Sequence, residues 1–272
     1  VYGSVTGTGI GALFMSGIVP GILIGIVIYF SVKITSRGRE LHSAPKATGK
    51  ERLKAFWSAL GGIMMPVIIL GGIYRGVFTP TEAAAVAAVY GFIVGIFIYR
   101  SLKFKDIMDI LRDSVSQTAV VMFIIGAAAV FGNTLTVTGI AAKASASLVS
   151  LAAGNKYIFL ILINIILLIA GCFLDANSAL YILCPILFPV AMSLNINPVH
   201  LGAVMVVNLA IGLVTPPVGA NLFVGFGVAG IPLKDMIKKV WPFVLACVLV
   251  LLLVTYVEPV STFLPSLMKP AT

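Results

Sequence analysis

The chain of 272 residues is 60% hydrophobic and only 10% charged, with a mean hydropathy of +1.13. Soluble domains carry about a quarter charged residues, so the composition excludes an ordinary soluble fold. It points to an all-α integral membrane protein surrounded by lipid bilayer, with apolar runs near the ~20 residues that a helix needs to cross hydrocarbon. The net charge of +9 does not imply a nucleic-acid partner, because the basic residues sit between apolar runs, where they orient the chain with basic loops in the cytoplasm. Cys172, Cys184 and Cys247 lie in apolar segments without metal-ligand spacing and predict small core or lipid-facing side chains.

The chain opens at Val1 in a Gly/Thr-rich stretch expected to be a loop, which suggests a piece of a longer protein. A first span is predicted over 13–34, with Pro20 one turn inside it. The polar loop that follows carries Lys33, Arg37, Arg39, Lys46, Lys50, Arg52 and Lys54 against Glu40 and Glu51, which assigns it to the cytoplasm. A second span is expected over 55–73 with a kink at Pro66. Thr79-Pro80-Thr81-Glu82 is a helix start for a third span over 82–99: Thr79 caps, Pro80 suits the first turn and Glu82 faces the positive helix end. Phe104, Ile107, Met108 and Leu111 share one face of 100–113, which reads either as a helix on the cytoplasmic surface or as a polar connector. A fourth span follows over 115–132, and 133–155 reads as an external loop plus an interfacial helix.

Two apolar runs, 157–174 and 179–194, are joined by Asp175-Ala176-Asn177-Ser178. Two full spans and one re-entrant hairpin would return to the same side. The small polar turn, with Pro185 and Pro189 in the second leg, favours the hairpin. The run 198–231 is interrupted at Thr215-Pro216-Pro217-Val218-Gly219 and predicts a discontinuous helix. Lys234, Lys238 and Lys239 then mark the cytoplasm, and a last span over 241–257 leaves the C-terminus outside. Gly9-Ile10, Met15 and Pro20 near one end resemble Gly230-Ile231, Met236 and Pro242 near the other, in opposite orientation. That is the mark of the inverted repeats of secondary transporters. The organisation expected is therefore the end of a first repeat (1–34), a basic linker (35–54) and scaffold-type spans with a surface helix (55–113). A span with an external interfacial segment (114–156), half of a transport domain (157–257) and an external tail (258–272) complete it.

Asp175 is either a solvated loop carboxylate or an ion or substrate ligand at the hairpin tip, where Asn177 and Ser178 add hard oxygens. The second interruption offers Asn208, Gly212, Thr215, Pro216, Gly219 and Asn221. Its bland alternative is a proline kink with asparagine bonding between helices. Asp175, Ser178 and Thr215 are the sodium candidates. Trp57 and Trp241 read as interfacial anchors, and His42 and His200 as solvated. No nucleophile–base pair, zinc spacing or phosphate loop is visible, so no enzyme is expected.

Three motifs carry a family resemblance: Phe78-Thr79-Pro80-Thr81-Glu82-Ala83-Ala84-Ala85, Gly171-Cys172-Phe173-Leu174-Asp175, and the stretch from Gly212 through Thr215-Pro216-Pro217 to Asn221-Leu222-Phe223. Together they resemble the large membrane subunit of tripartite ATP-independent periplasmic (TRAP) transporters, over essentially the whole chain. The resemblance implies an inverted-repeat fold of elevator type in a bacterial inner membrane, with sodium as coupling ion. It implies a small membrane subunit and a periplasmic substrate-binding protein as partners, and a C4-dicarboxylate or sialic acid as cargo. It also implies that the first repeat of the same subunit, mostly missing here, supplies half of the site. A passive anion channel and a structural membrane subunit are the competing expectations.

Overall fold

A computed structural model describes residues 1–37 and 47–267. The described residues form helices α1 (Tyr2–Thr6), α2 (Ile10–Thr35), α3 (Gly49–Tyr74), α4 (Pro80–Ile93) with a π-helical turn (Val94–Ile98), and α5 (Phe104–Val137). They continue as α6 (Ile140–Ala152), α7 (Lys156–Phe173), α8 (Ala176–Ser193), α9 (Pro198–Gly212), α10 (Ala220–Ala229), α11 (Leu233–Tyr256) and α12 (Pro259–Ser266). Seven described helices are long and apolar enough to cross a membrane. The protein is therefore a multi-pass, all-helical membrane protein.

Two compact units divide the chain: one of Val1–Arg37 with Phe123–Met268, the other of Gly38–Met122 with Lys269–Thr272. Within the second unit α3 packs on α4. The Tyr90 hydroxyl donates to the Gly61 carbonyl at 2.9 Å, and the Gly62 amide donates to the Tyr99 hydroxyl at 3.3 Å. Both helices begin in capping boxes, Thr48 with Glu51 and Thr79 with Glu82. The Thr79 amide donates to the Glu82 carboxylate at 2.8 Å and the Glu82 amide to the Thr79 hydroxyl at 3.3 Å, so each side chain satisfies the other residue's otherwise orphaned amide.

The first unit has its core where α7, α8 and α9 meet, with α6, α11 and α2 packed around them. Phe159, Ile163 and Leu167 of α7 are buried together with Leu201, Met205 and Leu209 of α9. On the opposite face of α7, Ile158, Ile161, Ile165 and Ile169 are exposed. Their spacing of three and four residues makes an apolar stripe suited to lipid. Cys172, Cys184 and Cys247 are all buried free thiols.

Several boundaries differ from the sequence reading. The expected opening loop contains α1, whose Tyr2 is buried and donates its hydroxyl to the Pro198 carbonyl at 2.7 Å. Lys50, Arg52 and Lys54 lie in the first turns of α3 rather than in a loop, and α3 runs on through Pro66. Arg39, Glu40, His42 and Lys46 fall outside the described residues. The surface helix and fourth span are one 34-residue helix, α5, so the division at 113/114 falls inside it. No glycine or proline separates the two parts, and a helix changes its surroundings without breaking its hydrogen-bond ladder. The last span begins at Leu233, which places Lys234, Lys238 and Lys239 on α11. The expected tail contains α12, which packs on α2 and α9.

Replacing Thr79 with Ala is expected to lower stability by about 1 kcal/mol, and Thr79→Ser by much less. Unfolding in mixed detergent micelles measures both.

Candidate functional site

The first interruption is the turn between α7 and α8. Only Leu174 and Asp175 lie outside the helices, so the four-residue turn of the sequence reading is shorter here. Asp175 is the N-cap of α8: its Oδ2 accepts from the amides of Asn177 at 3.0 Å and Ser178 at 3.1 Å. A carboxylate suits this position because it receives orphan amides and faces the positive helix end. Asn177 is exposed and Ser178 half-buried in the first turn. The connection is tight enough that α7 and α8 form a helical hairpin.

The second interruption separates α9 from α10. Helix α9 stops at Gly212, and its end is wound off by amide bonds from Val214 to the Ile211 carbonyl at 3.1 Å and from Thr215 to the Gly212 carbonyl at 2.9 Å. The Thr215 hydroxyl donates back to the Ile211 carbonyl at 2.6 Å. Pro216 and Pro217 bring no amide donor, and Gly219 has a φ of 52°, a left-handed conformation that glycine adopts without strain. Asn221 returns its amide to the Leu213 carbonyl at 3.0 Å, spanning the gap. The carbonyls of residues 215–218 accept no backbone hydrogen bond among the described residues.

The two interruptions touch. A Cβ on Gly212 would lie 2.6 Å from the Gly171 Cα, and one on Gly171 would lie 3.0 Å from the Gly212 Cα. The backbones of α7 and α9 are therefore in direct contact at their inner ends. Beyond that contact, the Gly219 amide donates to the Cys172 carbonyl at 3.0 Å. Asp175, Asn177 and Ser178 are thus brought to the same end of the helices as Thr215, Pro216 and Gly219. Beside them is a cavity of about 420 Å³ whose lining includes Ala176, Asn177, Leu180, Leu209, Ala210 and Leu213. The wall is mostly apolar, with Asn177 among the residues that line it.

Asn208 does not join this group. It is 0% exposed, and its amide donates to the Asn164 Oδ1 at 2.7 Å and to the Val204 carbonyl at 2.8 Å. Asn164 (4% exposed) in turn donates to the Thr255 hydroxyl at 3.1 Å. Its side chain therefore binds α9 to α7 and α11 rather than facing the break, because a buried amide needs partners and these were in reach. His200, expected in water, is also a correction: it is 2% exposed and held by the Ser261 hydroxyl and the Thr255 carbonyl. The signal for these residues was present in lone polar side chains such as Asn164 within an apolar run, but their pairing was not. Among the described residues no cluster of three His, Cys, Asp or Glu could hold a metal; any cation at the tip would depend on neutral oxygens beside Asp175.

Gly212→Ala should cost about 1–3 kcal/mol through overpacking. Gly25→Ala, with nothing within 4 Å of its Cβ, should be neutral or stabilising by up to about 1 kcal/mol. A double-mutant cycle of Asn164→Leu and Asn208→Leu should give a coupling of about 0.6–1.7 kcal/mol, read by unfolding in mixed micelles.

Residues 1–260 match the family described as "Tripartite ATP-independent periplasmic transporter, DctM component". The chain is 44% identical over 266 residues to the C4-dicarboxylate TRAP transporter large permease protein DctM of Pseudomonas aeruginosa, covering 98% of this chain and 62% of that protein. It is 36% identical over 267 residues to the sialic acid TRAP transporter large permease protein SiaM of Vibrio cholerae, covering 98% and 62%. To the isethionate TRAP transporter permease protein DctMQ of Oleidesulfovibrio alaskensis it is 41% identical over 264 residues, covering 97% and 41%. The chain spans less than two thirds of the length of these relatives. The match over residues 1–260, with relatives 36–44% identical over nearly all of the chain, places it among the DctM components of tripartite ATP-independent periplasmic transporters.

Proposed function

We propose that this chain is part of the membrane subunit of a sodium-coupled, binding-protein-dependent secondary transporter, which imports a small organic anion across a bacterial inner membrane. The observation that carries the reading is the backbone-to-backbone junction of hairpin and broken helix at Gly171–Gly212 and Cys172–Gly219. Two interruptions held together gather Asp175, Asn177, Ser178, the Thr215 hydroxyl and the unengaged carbonyls of 215–218 in one region. Sodium takes hard oxygens of this kind, and broken helices expose them. The relatives' names support an organic anion: C4-dicarboxylates, sialic acid and isethionate are all organic acids.

On this reading α7 and α8 are a re-entrant hairpin entered from outside, and the C-terminus is periplasmic. The hairpin and broken helix move as one elevator body. The first repeat of the same subunit completes the site across a pseudo-two-fold axis. A small membrane subunit and a periplasmic substrate-binding protein are the partners, and sodium is a coupling ion rather than a bound cofactor. The division between scaffold-type spans near 55–113 and a transport half near 157–257 belongs to the same proposal.

Asp175 also has a local duty, because it caps α8. Asp175→Asn separates the two roles: asparagine caps as well as aspartate but brings no charge to a cation. In the complete transporter, reconstituted in vesicles with its partners, Asp175→Asn should lower sodium-driven uptake at least about tenfold with stability nearly unchanged. Its uptake should need higher external sodium. Wild-type uptake in this variant would reduce Asp175 to a cap. Uptake that neither saturates nor requires a sodium gradient would instead identify a passive anion channel. Transport per assembled complex that survives changes at Thr215 and Gly219 would identify a structural subunit.

A further inference from the structure

A second cavity, with a more polar wall, lies at the far end of the hairpin from the tip, away from the candidate site. Its volume is about 230 Å³, and its wall includes Lys156 and Tyr157 at the start of α7, Tyr256 at the end of α11, His200 near the start of α9, and Glu258 just before α12. The wall is built rather than incidental. The His200 Nδ1 is 2.7 Å from the Ser261 hydroxyl and its Nε2 is 3.2 Å from the Thr255 carbonyl, with Ser261 0% and Thr255 1% exposed. A carbonyl only accepts, so Nε2 carries a proton. The ring then ties α9 to α11 and α12 at once and fixes where Tyr256 and Glu258 stand.

The charged groups in that wall are unmatched. Lys156 and Glu258 line the same cavity, yet no ion pair joins them among the described residues. The Lys156 ammonium instead stands 5.2 Å from the centre of the Tyr157 ring. The Tyr256 hydroxyl is shielded from solvent and has no hydrogen-bond partner. A buried hydroxyl without a partner costs free energy, while the exposed Lys156 and the half-buried Glu258 present opposite charges at the rim of the same cavity. One kind of guest satisfies all three groups: a small zwitterion, with an anionic oxygen for Lys156 and an N–H-bearing cation for Glu258 and the Tyr256 oxygen.

The position selects a lipid as the source. Both α7 and α11 are long and apolar enough to cross a membrane, and the cavity is at their ends, where hydrocarbon gives way to water. Tyr157 and Tyr256 stand there with rings 6.1 Å apart, at the depth where tyrosines anchor membrane proteins. The exposed stripe of Ile158, Ile161 and Ile165 begins immediately beyond on α7, and α11 exposes Leu252 and Leu253 one turn from Tyr256. Acyl chains can lie on these residues while their headgroup enters the cavity.

We infer that this cavity binds the headgroup of phosphatidylethanolamine, with Lys156 at the phosphodiester and Glu258 and the Tyr256 hydroxyl accepting from the ammonium. A trimethylammonium headgroup has no N–H to donate. Delipidated full-length permease is exposed to vesicles of phosphatidylethanolamine with phosphatidylglycerol, or of phosphatidylcholine with phosphatidylglycerol, and retained lipid is read by native mass spectrometry. Wild type should retain phosphatidylethanolamine about tenfold over phosphatidylcholine, as one charge-assisted hydrogen bond allows. Glu258→Gln should reduce that preference to about twofold or less. Tyr256→Phe, which removes one oxygen and leaves the packing, should reduce it in part. Lys156→Gln should weaken retention of both zwitterionic lipids. Unfolding of each variant in lipid-free detergent checks that the fold is retained. Equal retention of the two lipids by a folded wild type, or an undiminished preference in Glu258→Gln, would overturn the proposal. So would displacement of the lipid by soluble glycerophosphoethanolamine at equal concentration, which would mean a soluble guest.

Discussion

The contact between Gly171 and Gly212 is the constraint on which the described hairpin unit depends. Two helices meet there backbone to backbone, with no room for a side chain on either. That distance fixes the register of α7 against α9 and lets Phe159, Ile163 and Leu167 interdigitate with Leu201, Met205 and Leu209. It also carries the Cys172 carbonyl to the Gly219 amide. Irregular backbone in an apolar setting is tolerated only when its polar groups find partners. The break at 213–219 finds one of them on the hairpin, so the position of each interruption is set by the other.

Packing of this kind matters more in lipid than in water. Apolar side chains gain little by leaving lipid for one another, so close approach and interhelical hydrogen bonds carry the association of helices. The unit uses both devices along one line of contact. Glycines hold the inner ends of α7 and α9, the Asn164–Asn208–Thr255 cluster holds their middle together with α11, and His200 with Ser261 holds the outer end against α12. A hairpin and a broken helix joined at two levels, by the glycine contact and the asparagine pair, would move together. That mechanical unity is what an elevator reading requires, and it is also what keeps the oxygens of the tip and of the break in one place.

The legible parts of the structure were those with a local cause. Thr79-Pro80-Thr81-Glu82 produced the helix start expected of it, since a capping box is closed by residues three apart. The consecutive Pro216 and Pro217 lie in the break between two helices, since neither ring can continue the ladder. Boundaries were misread where charge stood in for geometry. Asp113 and Ser114 mark a change of environment but contain no breaker, and α5 runs through them. Lys234, Lys238 and Lys239 suggest by their charge a loop before the last span, yet α11 carries them, because lysine is a good helix former wherever its head reaches water. Asp175 was weighed as loop carboxylate or ligand, and the cap that it makes to Asn177 and Ser178 was available in the same four residues.

By itself the sequence determined that the protein is a helical membrane protein, where its two interruptions fall and which family it belongs to, since these follow from composition and from neighbours a few residues apart. Only the tertiary structure decided which distant residues meet. Asn208 was assigned to the break by proximity in sequence, yet it bonds to Asn164, 44 residues away, and His200 left water for Ser261, 61 residues away. The physical reason is that a buried polar group takes whatever partner packing brings within about 3 Å. Which partner that is depends on the approach of helices in space, as with the two glycines that allow α7 and α9 to touch.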